Sequence, residues 1–433
     1  MKTAATPSFR EAFALWARVG VLSFGGPAGQ IALMHRMVVE ERNWLTENQF
    51  LNALNFSMLL PGPEAMQLAT YAGWRLHGLK GGLAAGLLFV LPGAAVVLAL
   101  AMIYAAFGTV PVVEALFFGV KAAVLVIVIE ALLRIAKRAL KRREHWLLAA
   151  ASFIAIFFLD LPYPLIVLGA ALIGFALSSG DTQAPTANPA REGKDTATLP
   201  QTAMTIAIWL AIWLVPLAML FLMLGPSHVL PQAGLFFSKL AIVTFGGAYA
   251  VLAYMAQQAV EGFGWLSAGE MLDGLGLAET TPGPLILVTE FVGFLAAFRE
   301  GGEPALLMGL AGAIVTLWVT FAPCFLWIFA GAPYIERIGA NAKLSGALTG
   351  VTAAVVGVIL NLALWFALHV LFAEVEAVNH GPVRLWTPEL ATFDWQAALL
   401  SALAAILLLW RHGGILTTLG VCAGLGLVAR FAL

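Results

Sequence analysis

The chain has 433 residues, 61% hydrophobic and only 11% charged, with a formal net charge of −1 and a mean hydropathy of +0.91. A soluble domain carries roughly a quarter charged residues, so this composition excludes an ordinary soluble fold and leaves an all-α polytopic membrane protein. The net charge says nothing about partners, because in a membrane protein the location of the charges matters; the lipid bilayer is the expected surrounding, and no nucleic acid is expected.

Arg10, Glu11 and Arg18 interrupt the first apolar stretch, which therefore reads as mature chain rather than a cleaved leader. The first half then predicts a helix over Phe9–Met34, an apolar piece Phe50–Leu60 and a second piece Pro63–Leu76. Long helices Leu79–Phe107 and Val112–Leu140 follow, each passing the roughly 20 residues that span a bilayer. A tighter pair, Trp146–Leu159 and Tyr163–Leu177, completes this half, 1–178.

Residues 179–200 hold no apolar run and read as a polar linker. The segment 201–230 supplies an extra crossing, Met204–Leu224, with no partner in the first half. The second half, 231–433, repeats the earlier order: Leu235–Gln258, Met271–Ala278, Pro284–Phe298, Ala305–Phe329, Leu344–Phe372, Trp395–Trp410 and Ile415–Phe431. Cys324 and Cys422 both sit inside apolar segments, which suits packing and gives no metal site; no cofactor is expected.

The duplication is carried by punctuation. Phe24-Gly25-Gly26, Trp44 and Pro61-Gly62-Pro63 recur in the same order and at the same spacing as Phe245-Gly246-Gly247, Trp265 and Pro282-Gly283-Pro284. Gly73 pairs with Gly293, and Pro92 with Pro323 is a further candidate pair. One extra helix between two equivalent halves turns the second upside down, and the loop charges agree. Arg134, Lys137, Arg138, Lys141, Arg142 and Arg143 place the first-half loop in the cytoplasm. The corresponding second-half loop carries Glu374, Glu376, Glu389 and Asp394 against Arg384, while Arg337 and Lys343 fall inside. Counting each Pro-Gly-Pro segment as a broken crossing gives about 13 crossings, with the N-terminus in the cytoplasm and the C-terminus outside. If the two arms instead form a re-entrant hairpin, the count changes and the N-terminus moves outside; the broken crossing is preferred.

Inverted repeats are a recurring plan of secondary transporters, because two pseudo-symmetric halves can expose one midplane site to alternate sides. In the Pro61-Gly62-Pro63 break, Pro61 removes a donor, Gly62 allows a sharp turn and Pro63 suits the first position of a new helix. Such a start points free N–H groups toward the break, where an anion is the natural occupant. Pro282, Gly283 and Pro284 offer the second start, with Thr280 and Thr281 as hydroxyl donors. Glu64, Gln67 and Tyr71 share a helix face, and Glu290 lies on the second-half arm. Phe24, Gly25 and Gly26 with Gly246 and Gly247 read as further unwound elements, flanked by Ser23, Thr244 and Gln30. Close glycine packing would account for the glycine pairs as well. Lys121 inside a long helix either neutralises an anion or pairs with a carboxylate elsewhere; Arg36 and Arg75 read as anion attractors or interface anchors. Glu64 suits an anion site only when protonated, which makes it the sequence candidate for proton coupling.

These motifs make the chain resemble the bacterial chromate ion transporters of the CHR family, in the long two-domain form, over nearly its whole length. The resemblance implies efflux of chromate across the inner membrane, driven by membrane potential or a proton gradient, and hence chromate resistance. Sulfate, with the same charge and tetrahedral shape, is an expected competitor, and a homodimer is compatible with the pattern. Uptake of sulfate or a related oxyanion is the alternative within the class; a passive channel ranks below it. No HExxH, GxSxG or P-loop motif is present, which argues against an enzyme or a nucleotide-driven pump.

Overall fold

The computed structural model describes residues 7–178, 198–245, 247–335 and 341–432. Gly246, Arg337 and the linker residues 179–197, each given a role above, lie outside them. The chain forms two compact units: one combines 1–99, 178–248 and 281–345, the other 100–177, 249–280 and 346–433. Five of the described helices are long and apolar enough to cross a membrane.

The helices of the first half are α1 (Phe9–Leu22), α2 (Gly26–His35), α3 (Glu47–Leu59), α4 (Glu64–Phe107), α5 (Pro111–Ala139), α6 (Arg143–Phe157) and α7 (Tyr163–Leu177). After them come α8 (Leu199–Leu224), α9 (Val229–Val243), α10 (Ala248–Gln257), α11 (Ala268–Thr280), α12 (Val288–Glu300) and α13 (Ala305–Gly331). The last helices are α14 (Ala342–Leu371), α15 (Trp395–Ala405) and α16 (Ile415–Ala432). Between α14 and α15 lies an antiparallel β-hairpin, β1 (Val375–His380) and β2 (Val383–Pro388), with Val375 opposite Pro388 and His380 opposite Val383. An all-α reading misses this hairpin.

The expected Phe9–Met34 helix is two helices. α1 starts on a capping box, in which Ser8 and Glu11 satisfy each other's backbone N–H. It stops at Ser23, and α2 begins at Gly26 with Gly25 as its cap; the φ angles of 83° and 73° at these two positions are readily adopted only by glycine. The second-half counterpart, expected over Leu235–Gln258, is divided in the same way into α9 and α10.

α4 is 44 residues long, which as a straight rod would reach about 66 Å, twice a bilayer core. It reverses instead. His77 and Gly78 leave helical geometry, and the arms 64–76 and 79–107 lie back to back. A Cβ on Gly73 would sit 2.3 Å from the Gly81 carbonyl oxygen, and one on Gly86 would sit 2.5 Å from Thr70 Oγ1. Small residues permit this approach.

The Pro-Gly-Pro turn of the first half also reverses the chain, against the broken crossing preferred above. Gly62 faces the Cys324 thiol on α13, while Phe56, before the turn, covers Gly331 further along the same helix. Tyr71, after the turn, meets that same Phe56 edge-on with ring centroids 6.3 Å apart. Both arms therefore leave Gly62 in one direction. α2 folds back as well: its end meets the start of α3, which lies past Phe56 and Gly331 toward the Phe9 end of α1, since Phe9 packs on His77 and nearby Gly82 on Phe329. His35 of α2 then meets α3, 2.7 Å from Glu47 and edge-on to Phe50.

Within the same unit the long arm of α4 runs alongside α1, with Phe9 against His77 and Gly20 against Leu88 and Pro92. Against α13 it runs antiparallel, since Gly82 meets Phe329 and Gly86 meets Phe325. α8 covers α13 through Trp209, stacked on Phe325 at 5.4 Å, and reaches α9 where Trp213 donates to Ser238.

Candidate functional site

The interrupted segments gather in the first unit, where they hold one another by reciprocal hydrogen bonds. The Gly62 N–H donates to the Thr244 carbonyl, and the Gly283 N–H donates to the Ser23 carbonyl, each at 2.8 Å. Gly62 and Gly283 are repeat equivalents, as are Ser23 and Thr244, so each half's Pro-Gly-Pro turn grips the other half's Gly-Gly break.

Two glutamines extend these clusters. Gln30 Nε2 donates to the Gly283 carbonyl at 2.7 Å and to the Ser23 carbonyl at 3.3 Å. Gln67 Nε2 donates to the Pro61 carbonyl at 2.7 Å. The amide oxygens of both face away from those carbonyls, buried and without a partner. Each glutamine thus satisfies carbonyls that an ended helix leaves exposed.

Gly62 and Gly283 have φ angles of 119° and 92°, so the turns require glycine. Their surroundings correspond too: Gly62 faces Cys324, and Gly283 faces Gly93. The candidate pairing of Pro92 with Pro323 therefore has a spatial counterpart one residue on, in Gly93 and Cys324. Sequence reading missed both. The only signal was the shared proline, since nothing local to either helix reports what lies opposite.

Several expectations change. Ser23 and Thr244 are buried, but each hydroxyl already donates at 2.6 Å to the carbonyl four residues back, Val19 and Leu240. Their protons are engaged within their own helices. Thr280 likewise donates to Leu277 and belongs to the other unit, while Thr281 is buried in this one. Pro63 stands one residue before α4, with its carbonyl accepting from the Gln67 N–H, which makes it the cap rather than the first helical residue. Pro284 precedes a short 3-10 turn, Leu285–Leu287, so α12 starts later than expected.

Pro282 is buried with Gly283, whereas Phe24 is 39% exposed. Gly247 adopts φ 105°. Glu64 lies in the first turn of α4, half-buried. Tyr71 packs between Phe56 and Trp74. Arg36 is exposed beside Glu41 at 3.6 Å, and Arg75 is exposed. Glu290 is buried on α12.

In the second unit Lys121 takes the carboxylate alternative. Its Nζ lies 3.4 Å from Asp273 Oδ2, which also accepts from the Tyr104 hydroxyl at 2.7 Å. Asp273 of α11 went unnoticed in the sequence because it lies far from Lys121 along the chain. Near the end of α11, Glu279 accepts from the Tyr249 hydroxyl at 2.7 Å.

Chemically, the first unit offers the opening turns of α2 and α4, whose N–H groups lack intrahelical acceptors, close to glycines with positive φ. Such backbone favours an anion. The chromate transporter family matches residues 10–175 and again 231–427. A probable chromate transport protein of Synechococcus elongatus is 31% identical, covering 81% of this chain and 83% of its own length. Chromate transport proteins of Pseudomonas aeruginosa, 31% identical over 81% of this chain and 79% of the relative, and of Cupriavidus metallidurans, 29% identical over 82% of each, are also similar. No solved structure matches.

Proposed function

Because the chain belongs to the chromate transporter family, we propose that it exports chromate from the cytoplasm by secondary active transport through alternating access. The observation that carries this reading is the reciprocal pair of bonds from Gly62 to Thr244 and from Gly283 to Ser23. Two equivalent half-sites that grip each other can exchange roles when one half changes conformation. A tetrahedral dianion is held by the backbone donors where helices restart, with Gly25, Gly26, Gly62, Gly247 and Gly283 shaping the cradle.

The two halves are read as inverted repeats. The antiparallel course of the long arm of α4 and α13 supports this, as do the basic loop after α5 and the acidic β-hairpin after α14. With both interrupted elements of the first half folding back, the N-terminus remains cytoplasmic. By equivalence the second half folds back from the outer side, giving about nine crossings and an external C-terminus in the bacterial inner membrane.

The test is reconstitution into proteoliposomes with a membrane potential and a pH gradient imposed separately. Chromate moving uphill in the export direction, with sulfate competing, is the expected result. Uphill sulfate uptake without chromate transport would overturn the substrate assignment, and strictly downhill flux would make the protein a channel.

A further inference from the structure

Among the described residues two carboxyl side chains are buried, Asp273 at 3% and Glu290 at 1% exposure, and their surroundings differ. Asp273 has Lys121 and Tyr104 on one oxygen. Glu290 Oε2 is buried with no hydrogen-bond partner.

Among the described residues, no element packed against α12 supplies a compensating charge. α13 contains no Asp, Glu, Lys, Arg or His, and its titratable side chain is the thiol of Cys324. α9 carries Lys239, which is exposed, and the long arm of α4 carries Lys80 within this unit, also exposed. Arg299 and Glu300 lie exposed at the far end of α12, and Glu303 is exposed in the loop beyond. An ionised carboxylate in such surroundings carries a heavy desolvation cost, whereas the neutral acid does not. On α13 the buried hydroxyl of Thr320 also lacks a partner. It lies one turn beyond Thr316, which packs against Gly293 of α12.

Position gives this carboxyl a consequence. Glu290 stands on the arm that leaves the Pro282-Gly283-Pro284 turn, and that turn is tied to Ser23 and Gln30. A rearrangement that releases the turn alters the surroundings of Glu290 with it. We propose that Glu290 is the proton-binding carboxyl that couples oxyanion movement to the proton gradient, an inference that rests on the transport reading. In the described conformation the acid keeps its proton. When the arm meets water its O–H bond breaks, the proton passes to a water molecule, and the carboxylate takes up a proton again before the arm is reburied.

Wild type and Glu290→Gln, which matches the neutral acid in shape, are compared in proteoliposomes for chromate accumulation driven by a pH gradient and for chromate counterflow without one. The variant is expected to lose the pH-driven accumulation and keep counterflow. Wild-type accumulation by the variant overturns the proposal, and so does loss of its counterflow, which would place Glu290 in the substrate path. Absence of chromate counterflow in wild type would sink the transport reading instead. Infrared difference spectra tell these failures apart: the carbonyl stretch of a protonated carboxylic acid is expected in wild type and missing in Glu290→Gln, and identical spectra overturn the assignment without reference to transport.

Discussion

A Cβ on Gly93 would lie 2.1 Å from the Pro282 carbonyl oxygen, and a backbone atom inside a closed turn cannot step aside. Gly93→Ala is therefore expected to destabilise by about 1–3 kcal/mol, as overpacking does, and to reduce chromate flux by displacing the turn that holds Ser23. Gly169→Ala is the control, since a Cβ there meets nothing within 4 Å and helix propensity favours alanine by up to about 1 kcal/mol. Thermal unfolding of the detergent-solubilised variants, with uptake in proteoliposomes, checks both. Gln30→Leu removes the donor to two buried carbonyls and is expected to cost about 1–3 kcal/mol by the same unfolding measurement. The glycines at 62 and 283 were legible because a left-handed turn between prolines advertises itself in sequence. Gly93 was not, because its requirement comes from a carbonyl nearly two hundred positions away. The hydroxyls of Ser23 and Thr244 fall between these cases: their place beside the breaks was readable, but as donors to a ligand they compete with the carbonyl one turn back, and in both halves the carbonyl wins.

Apolar runs located most helices to within a few residues, because desolvation of the backbone demands helix wherever the sequence is continuously apolar. They did not show which helices double back. Whether a Pro-Gly-Pro segment kinks a helix or reverses it depends on what packs against the arms, here Gly331 beside Phe56 and Gly73 beside Gly81. The β-hairpin is hidden for a different reason: the acidic charge of this loop masks its local signal, the two-residue turn Gly381-Pro382 between His380 and Val383. Arg384 ties this hairpin down, with Nη2 at 2.6 Å from Glu261, Nη1 at 3.4 Å from Asp160, and its guanidinium 4.4 Å over the Trp386 ring. Glu261 also accepts from Trp365 Nε1 at 3.0 Å. Arg384→Ala removes the cation shared by both carboxylates and the stacking surface for Trp386. Faster amide hydrogen exchange in 375–388 is expected, with the amides around Gly62 and Gly283 unchanged. Protection of the hairpin equal to wild type would show that the strand pairing alone holds it.

Charge distribution and chain reversal together support the proposed topology, and the two readings of the first half part at one loop. In a broken crossing, α1 and α2 carry the chain through the bilayer, so the loop after α2 lies outside. With both elements re-entrant, that loop shares a side with the N-terminus, the His77-Gly78 turn and the basic segment after α5. The local charges favour the second arrangement, because Arg36 and Arg42 lie at that loop. The native thiols, Cys324 and Cys422, are both buried, so a cysteine-free background is a reasonable starting point for single-cysteine labelling with an impermeant maleimide. Glu41→Cys and Lys141→Cys are expected to react only from the cytoplasmic side, and Glu376→Cys only from outside. Labelling of Glu41→Cys from outside, together with Glu376→Cys, would restore the broken crossing and remove the basis for a re-entrant Pro-Gly-Pro turn. Labelling of Lys141→Cys from outside would instead invert the whole assignment and, with it, the side from which chromate is loaded.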